Sequence, residues 1–88
     1  MTRSGPPARL ILSVHAQGNI VKRDLDMRWV EQTVAAPELT APDSADPTVT
    51  RAWRAIPERG GKMLRVAYRP VNGDILVITA FFDRGARR

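Results

Sequence analysis

The chain reads as an α+β domain, with two N-terminal helices packed on a three-stranded antiparallel β-meander that becomes four-stranded if Leu10-Ile11-Leu12 joins it. Three observations predict this. Ser13 and Asp26 stand as N-caps ahead of apolar residues at helical spacing. Asn72-Gly73 lies between two alternating runs, where a tight turn with two positive φ angles joins antiparallel strands. Glu58-Arg-Gly-Gly61 offers a second reversal, which turns a strand beginning near Thr48 onto the one beginning at Lys62.

Residues 1–9 hold Gly5, Pro6 and Pro7 without apolar periodicity and read as a disordered lead-in. The domain proper is expected over 10–84, with 85–88 as a basic tail. Leu10-Ile11-Leu12 is either a short strand or an apolar staple before the first helix. From Ser13 the residues Val14, Gly18, Val21 and Leu25 form one helical stripe, and this helix is expected to end near Arg23. Asp26 caps the second helix, Met27, Val30 and Val34 form its buried stripe, and Pro37 stops it. Between Pro37 and Pro47 three prolines and three acids predict a mobile acidic loop.

Register assigns the faces of the meander. A two-residue Asn72-Gly73 loop pairs Tyr68 with Val77, Val66 with Thr79 and Leu64 with Phe81. A four-residue loop over Glu58–Gly61 pairs Trp53 with Val66, Arg54 with Arg65 and Ala55 with Leu64. Alternation then puts Trp53, Leu64, Val66, Tyr68, Val77, Thr79 and Phe81 toward the helices. Arg54, Arg65 and Arg69 fall on the opposite face, among Ile56, Met63, Ala67, Ile78, Ala80 and Phe82.

Composition narrows the function. With 88 residues the chain carries one thin core. It has no cysteine and one histidine, which removes disulfides and thiolate sites and leaves a zinc site without its usual ligands. No run is long enough to cross a bilayer, and the proline-broken start does not read as a signal peptide, so a cytoplasmic location without a membrane is expected. No cofactor or metal is called for. The net charge of +5 is unevenly placed: from Val49 to Arg88 nine bases face three acids, whereas Met1 to Thr48 has five bases and six acids. Charge concentrated on one structural element points to an anionic partner.

Like charges directly across a strand pair cost up to ~1 kcal/mol. Arg54 opposite Arg65 is therefore unfavourable unless an anion lies between them or the two heads splay into water, and both readings stand open. His15, Asn19 and Arg23 share one helix face, which makes His15 either a proton shuttle or a histidine tied to the helix cap. Tyr68 is either a second proton donor or a core-edge hydroxyl. Lys62 and Arg69 add charge along the sheet. Trp53 either stacks on a base or lies in the core, Asp83 and Arg84 read as a solvated pair, and the tail from Arg84 to Arg88 either adds phosphate affinity or aids solubility.

The helix opening Ser13-Val-His15-Ala16, Arg23 eight residues after the histidine, a second helix ending at Pro37, then Leu64-Arg65-Val66 and Ile75-Leu-Val77-Ile78-Thr79 together resemble the bacterial domain-of-unknown-function family 4258. The resemblance spans about residues 10–84. Two positions depart from the family pattern: Asn19 stands where relatives often have arginine, and Arg23-Asp24-Leu25 replaces the common Arg-Gly-Ile. Because that family is grouped with RelE-like and BrnT-like toxin folds, the resemblance implies a RelE/barnase-like architecture and a ribonuclease of the mRNA-interferase type. It would cleave RNA, including ribosome-bound mRNA, without metal and would be neutralised by an acidic antitoxin. His15, Arg65 and Tyr68 are the candidate catalytic residues, and Arg23, Arg54, Lys62 and Arg69 the candidate RNA-binding ones. The alternative is a non-catalytic module that docks RNA or an acidic protein on the arginine-and-apolar sheet face, and a homodimer fits either reading.

Overall fold

A computed structural model describes residues 9–86, so all but Arg9 of the expected lead-in over 1–9 and the last two residues of the tail lie outside the described residues. The fold is a five-stranded mixed sheet with two helices on one face, which overturns the expected three-stranded antiparallel meander. In chain order the elements are β1 (Leu10–Leu12), α1 (Val14–Lys22), α2 (Met27–Ala35), β2 (Leu39–Pro42), β3 (Thr50–Ile56), a 3-10 turn (Pro57–Arg59), β4 (Lys62–Val71) and β5 (Asp74–Phe82). Strands β2 to β5 form an antiparallel run, and β1 closes the far edge parallel to β5, giving the order β1-β5-β4-β3-β2. The two helices carry the chain over the sheet from one edge to the other.

Both extra strands have local causes. Leu10, Ile11 and Leu12 pair with Ile75, Leu76 and Val77, so the apolar triplet is a strand and not only a staple. The stretch expected to be a mobile loop holds β2 instead, paired residue for residue from Leu39 opposite Trp53 to Pro42 opposite Thr50. A residue that precedes proline is pushed toward extended backbone, as Ala41 is here, and an edge strand tolerates Pro42 because its outer side needs no donor. The acids that follow hold a turn. Asp43 accepts the Ala45 and Asp46 amides and the Arg51 Nε–H, while Asp46 accepts the Thr48 amide and hydroxyl.

The helix caps follow the expectation. The Ser13 hydroxyl accepts the Ala16 amide at 3.0 Å and donates to the Ile78 carbonyl, and Asp26 accepts the Arg28 amide at 2.8 Å. The buried stripe of α1 does not. Val14 and Val21 are 85% and 81% exposed, and Ala16 with Ile20 faces the sheet in their place. The Ser13 amide donates to the Val77 carbonyl, so the pairing of β1 with β5 sets how the helix is rotated where it begins. On α2, Val30 and Thr33 are fully buried, Val34 packs beside them, and the Thr33 hydroxyl donates to the Trp29 carbonyl.

Two one-residue shifts rearrange the faces of the sheet. The β3–β4 reversal uses Pro57 to Gly61, closing on Ile56 opposite Lys62, with Gly60 and Gly61 at φ 68° and 79°. Trp53 consequently pairs with Arg65 and Arg54 with Leu64, so Arg54 and Arg65 lie on opposite faces and the expected anion site between them does not form. Asn72-Gly73 turns as expected, with Tyr68 opposite Val77, but an irregularity between Ala67 and Tyr68 then sets Ala67 opposite Thr79 and Leu64 opposite Phe82. The helix face is thereby built from Ile56, Leu64, Val66, Val77 and Ala80 against Ala16, Leu25 and Val30, with Tyr68 and Phe82 packed beside them. Trp53, Ala55 and Met63 form a second, smaller cluster on the other face.

Candidate functional site

Helix α1 runs along β5: its cap touches Val77 and Ile78, Asn19 accepts from the Thr79 hydroxyl at 2.8 Å, and its C-cap Arg23 reaches the end where Phe82 and Asp83 leave the sheet. The start of β4 lies at that same end, since the Asp83 amide donates to the Met63 carbonyl. Three segments therefore meet around an open cleft of about 780 Å³, which is lined by Arg23, Arg59, Lys62, Phe82, Asp83 and Arg84. Gly60 and Gly61 form part of its wall, in a left-handed turn at φ 68° and 79° that glycine adopts without strain.

The cleft is layered. Arg23, Lys62 and Arg84 are exposed and make its rim, while Arg59, Phe82 and Asp83 are half-buried and make its floor. The Arg59 guanidinium lies 5.6 Å from the Trp29 ring centre and 5.3 Å from that of Phe82, and those two rings meet edge to face at 6.2 Å. Its Nε is sealed without an acceptor, so stacking holds the guanidinium in place. Among the described residues none of these four cations makes an ion pair, whereas Arg9, Arg28, Arg51 and Arg65 each do.

Asp83 is occupied on its other side. It accepts the Trp53 Nε1–H at 3.0 Å and the Gly85 amide at 3.0 Å, and it lies 3.7 Å from Arg65. The Trp53 hydrogen bond, helped by the Gly85 amide and the nearby Arg65, holds its carboxyl below the usual carboxylate range. Asp83 thus stays ionised while capping the turn that carries Arg84, and the expected solvated pair between the two is replaced by this arrangement.

The candidate site residues disperse. Arg23 and Lys62 come together on the rim of the cleft. Arg54 faces the helices and donates to the Ala36 carbonyl at 2.7 Å, which caps the end of α2. Arg65 lies on the opposite face, with its guanidinium 5.8 Å from the Trp53 ring centre and 5.0 Å from that of Phe81. Arg69 follows on that same face of β4, near Asp46. Tyr68 packs against the main core, and His15 is exposed in the first turn of α1, about 12 Å along the helix axis from Arg23. Arg59 is the residue that sequence reasoning missed. Its signal is a base set between Pro57-Glu58 and Gly60-Gly61, where a tight turn must present it beside Lys62.

The fold and the cleft define a small α+β domain, helices on one face of a mixed sheet, with a concentration of unpaired cations at one end. Within that class the chain belongs to the family described as a domain of unknown function, DUF4258, which matches residues 12–82. No curated protein and no solved structure matches the chain. Among the described residues no helix is long and apolar enough to cross a membrane, and no group of three or more histidines or acids is placed to hold a metal.

Proposed function

We propose that this domain binds RNA through the cleft lined by Arg23, Arg59, Lys62 and Arg84, as a cytoplasmic nucleic-acid-binding module. One observation carries the reading: four cations converge there and, among the described residues, none has a carboxylate ion-pair partner, whereas Arg9, Arg28, Arg51 and Arg65 are each paired with an aspartate. Clustering like charges costs free energy in the absence of an anion, and phosphate repays it through charge-assisted hydrogen bonds and counterion release.

Cleavage of that RNA in the manner of RelE-like and BrnT-like toxins is the second reading. It is favoured by the same convergence, because a phosphorane would find its counter-charge among these cations. It is carried less far, since His15 and Tyr68 do not line the cleft and Asp83 is held ionised by Trp53. A cleaving domain would need its proton transfers from other groups.

Titration of a labelled unstructured RNA with the full chain, at several salt concentrations, tests the proposal. Affinity is expected to fall steeply with salt, and Lys62→Ala and Arg84→Ala are each expected to reduce the slope of log K against log salt by about 1. Binding that ignores salt, or that both variants leave unchanged, overturns it. Gel analysis of the same mixtures decides the second reading: fragments that disappear with Lys62→Ala would establish cleavage.

A further inference from the structure

We infer that the cleft is built for an unpaired nucleotide, with phosphates held on the exposed rim and the base laid on the Arg59 guanidinium; this rests on the RNA-binding reading. The layering of charge supports it. Arg23, Lys62 and Arg84 are exposed, so any polyanion that approaches the mouth meets them. The floor differs in kind. It holds the Arg59 guanidinium laid against Trp29 and Phe82, while the Asp83 carboxylate is turned away to Trp53 and Arg65 on the helix-free face. A phosphate keeps its hydration at the exposed rim, whereas a flat base loses little by settling on a recessed guanidinium plane backed by aromatic rings.

Arg59 also has the right form for the task. It is already stacked against Trp29 and Phe82, 5.6 Å and 5.3 Å from the ring centres, with Nε sealed from solvent. A planar cation immobilised on aromatic rings is a stacking platform, and splayed bases of single-stranded RNA settle on such guanidinium planes as well as on aromatic rings. The side chain also loses little further freedom when the base arrives. A cleft of about 780 Å³ falls within the usual size range of small-ligand pockets. A duplex keeps its bases stacked inside the helix. It can touch the rim through its phosphates, and it has no free base to bring to a recessed floor. Duplex RNA is therefore held by three cations, and a single strand by those three together with the Arg59 platform.

The test compares three labelled RNAs of equal length with the full chain: an unstructured single strand, a perfect duplex, and a single strand made abasic at its central positions. The intact single strand is expected to bind about tenfold more tightly than either of the others, the range expected when one base–platform stack is lost. Arg59→Lys keeps the charge and removes the plane, so it is expected to erase that advantage while changing duplex affinity by less than about twofold. Arg59→Ala, which removes the charge as well as the plane, is also expected to erase the single-strand advantage, with its fold checked by circular dichroism. Equal affinity for all three RNAs with a steep salt dependence would overturn the base platform and leave the rim reading standing. Preserved discrimination in Arg59→Lys would also overturn it, and no binding of any RNA would remove both readings.

Discussion

The sheet carries two arginine stacks built from consecutive residues of β5. On the helix-free face Arg65 lies between Trp53 and Phe81, and on the helix face Arg59 lies against Trp29 and Phe82. Both guanidiniums have a sealed Nε without an acceptor, and both lie over ring faces. They differ in what meets the rest of the fork. Arg65 is 3.7 Å from Asp83, with side chains 22% and 21% exposed, whereas Arg59 has no acid against it and opens on the cleft. A guanidinium closed by a carboxylate is part of the scaffold. The same group left open, at the mouth of a cationic cleft, is free to take an anion or a base.

The comparison can be broken at several points. The largest effect is expected from Asp83→Ala, which leaves Arg65 half-buried without its partner and uncaps the turn that bears Arg84. We expect a loss of about 2–3 kcal/mol, read as a fall of roughly 10 °C or more in melting temperature. Arg59→Ala is expected to cost no more than about 1 kcal/mol, because it removes a stack and breaks no ion pair. Equal losses at the two positions would show that the stacks are equivalent.

Closing the open stack is the converse change. Lys62→Glu places an acid on the rim beside Arg59 and is expected to weaken RNA binding by at least about tenfold. Its stability is expected to stay within about 0.5 kcal/mol of the wild type, as befits an exposed position. Unchanged RNA affinity in this variant would remove the rim from the binding surface.

A smaller effect concerns pH. The Asp83 carboxyl is lowered in the folded state, chiefly by the Trp53 hydrogen bond, so its contribution is present above the unfolded value of ~3.9 and drains away as pH falls through the folded value. Trp53→Phe keeps a ring beneath Arg65 and removes the donor. Urea melts are expected to show it about 1 kcal/mol less stable at neutral pH, with the gap closing as pH falls below the ordinary carboxylate range. A gap that persists in acid would locate the effect in packing. The smallest change is expected from Arg84→Ala, which should weaken RNA binding about threefold with no change in melting temperature.

Much of the local structure was legible in the residues. Ser13 and Asp26 cap their helices, Pro37 ends the second, and Asn72-Gly73 turns with both φ values positive, because each depends on chemistry within a few neighbours. The cleft was legible only in part. Arg23 and Lys62 could be named as phosphate ligands, but nothing local says that the end of α1, the turn before β4 and the end of β5 arrive at one place. Arg54 and Arg65 show why. Five residues in the β3–β4 reversal, where four were expected, moved them to opposite faces, since strand side chains alternate with a period of two.

By itself, then, the sequence determined the excess positive charge toward its C-terminal half, two capped helices and the strands around Asn72-Gly73. Tertiary structure decided where β1 and β2 pair at the edges of the sheet, the rotation of α1 that exposes Val14 and Val21, and which arginines are paired. The reason is range. Caps and turns are decided by contacts a few residues apart, whereas the face on which a strand residue emerges depends on its register with a distant partner, and one added residue reverses it.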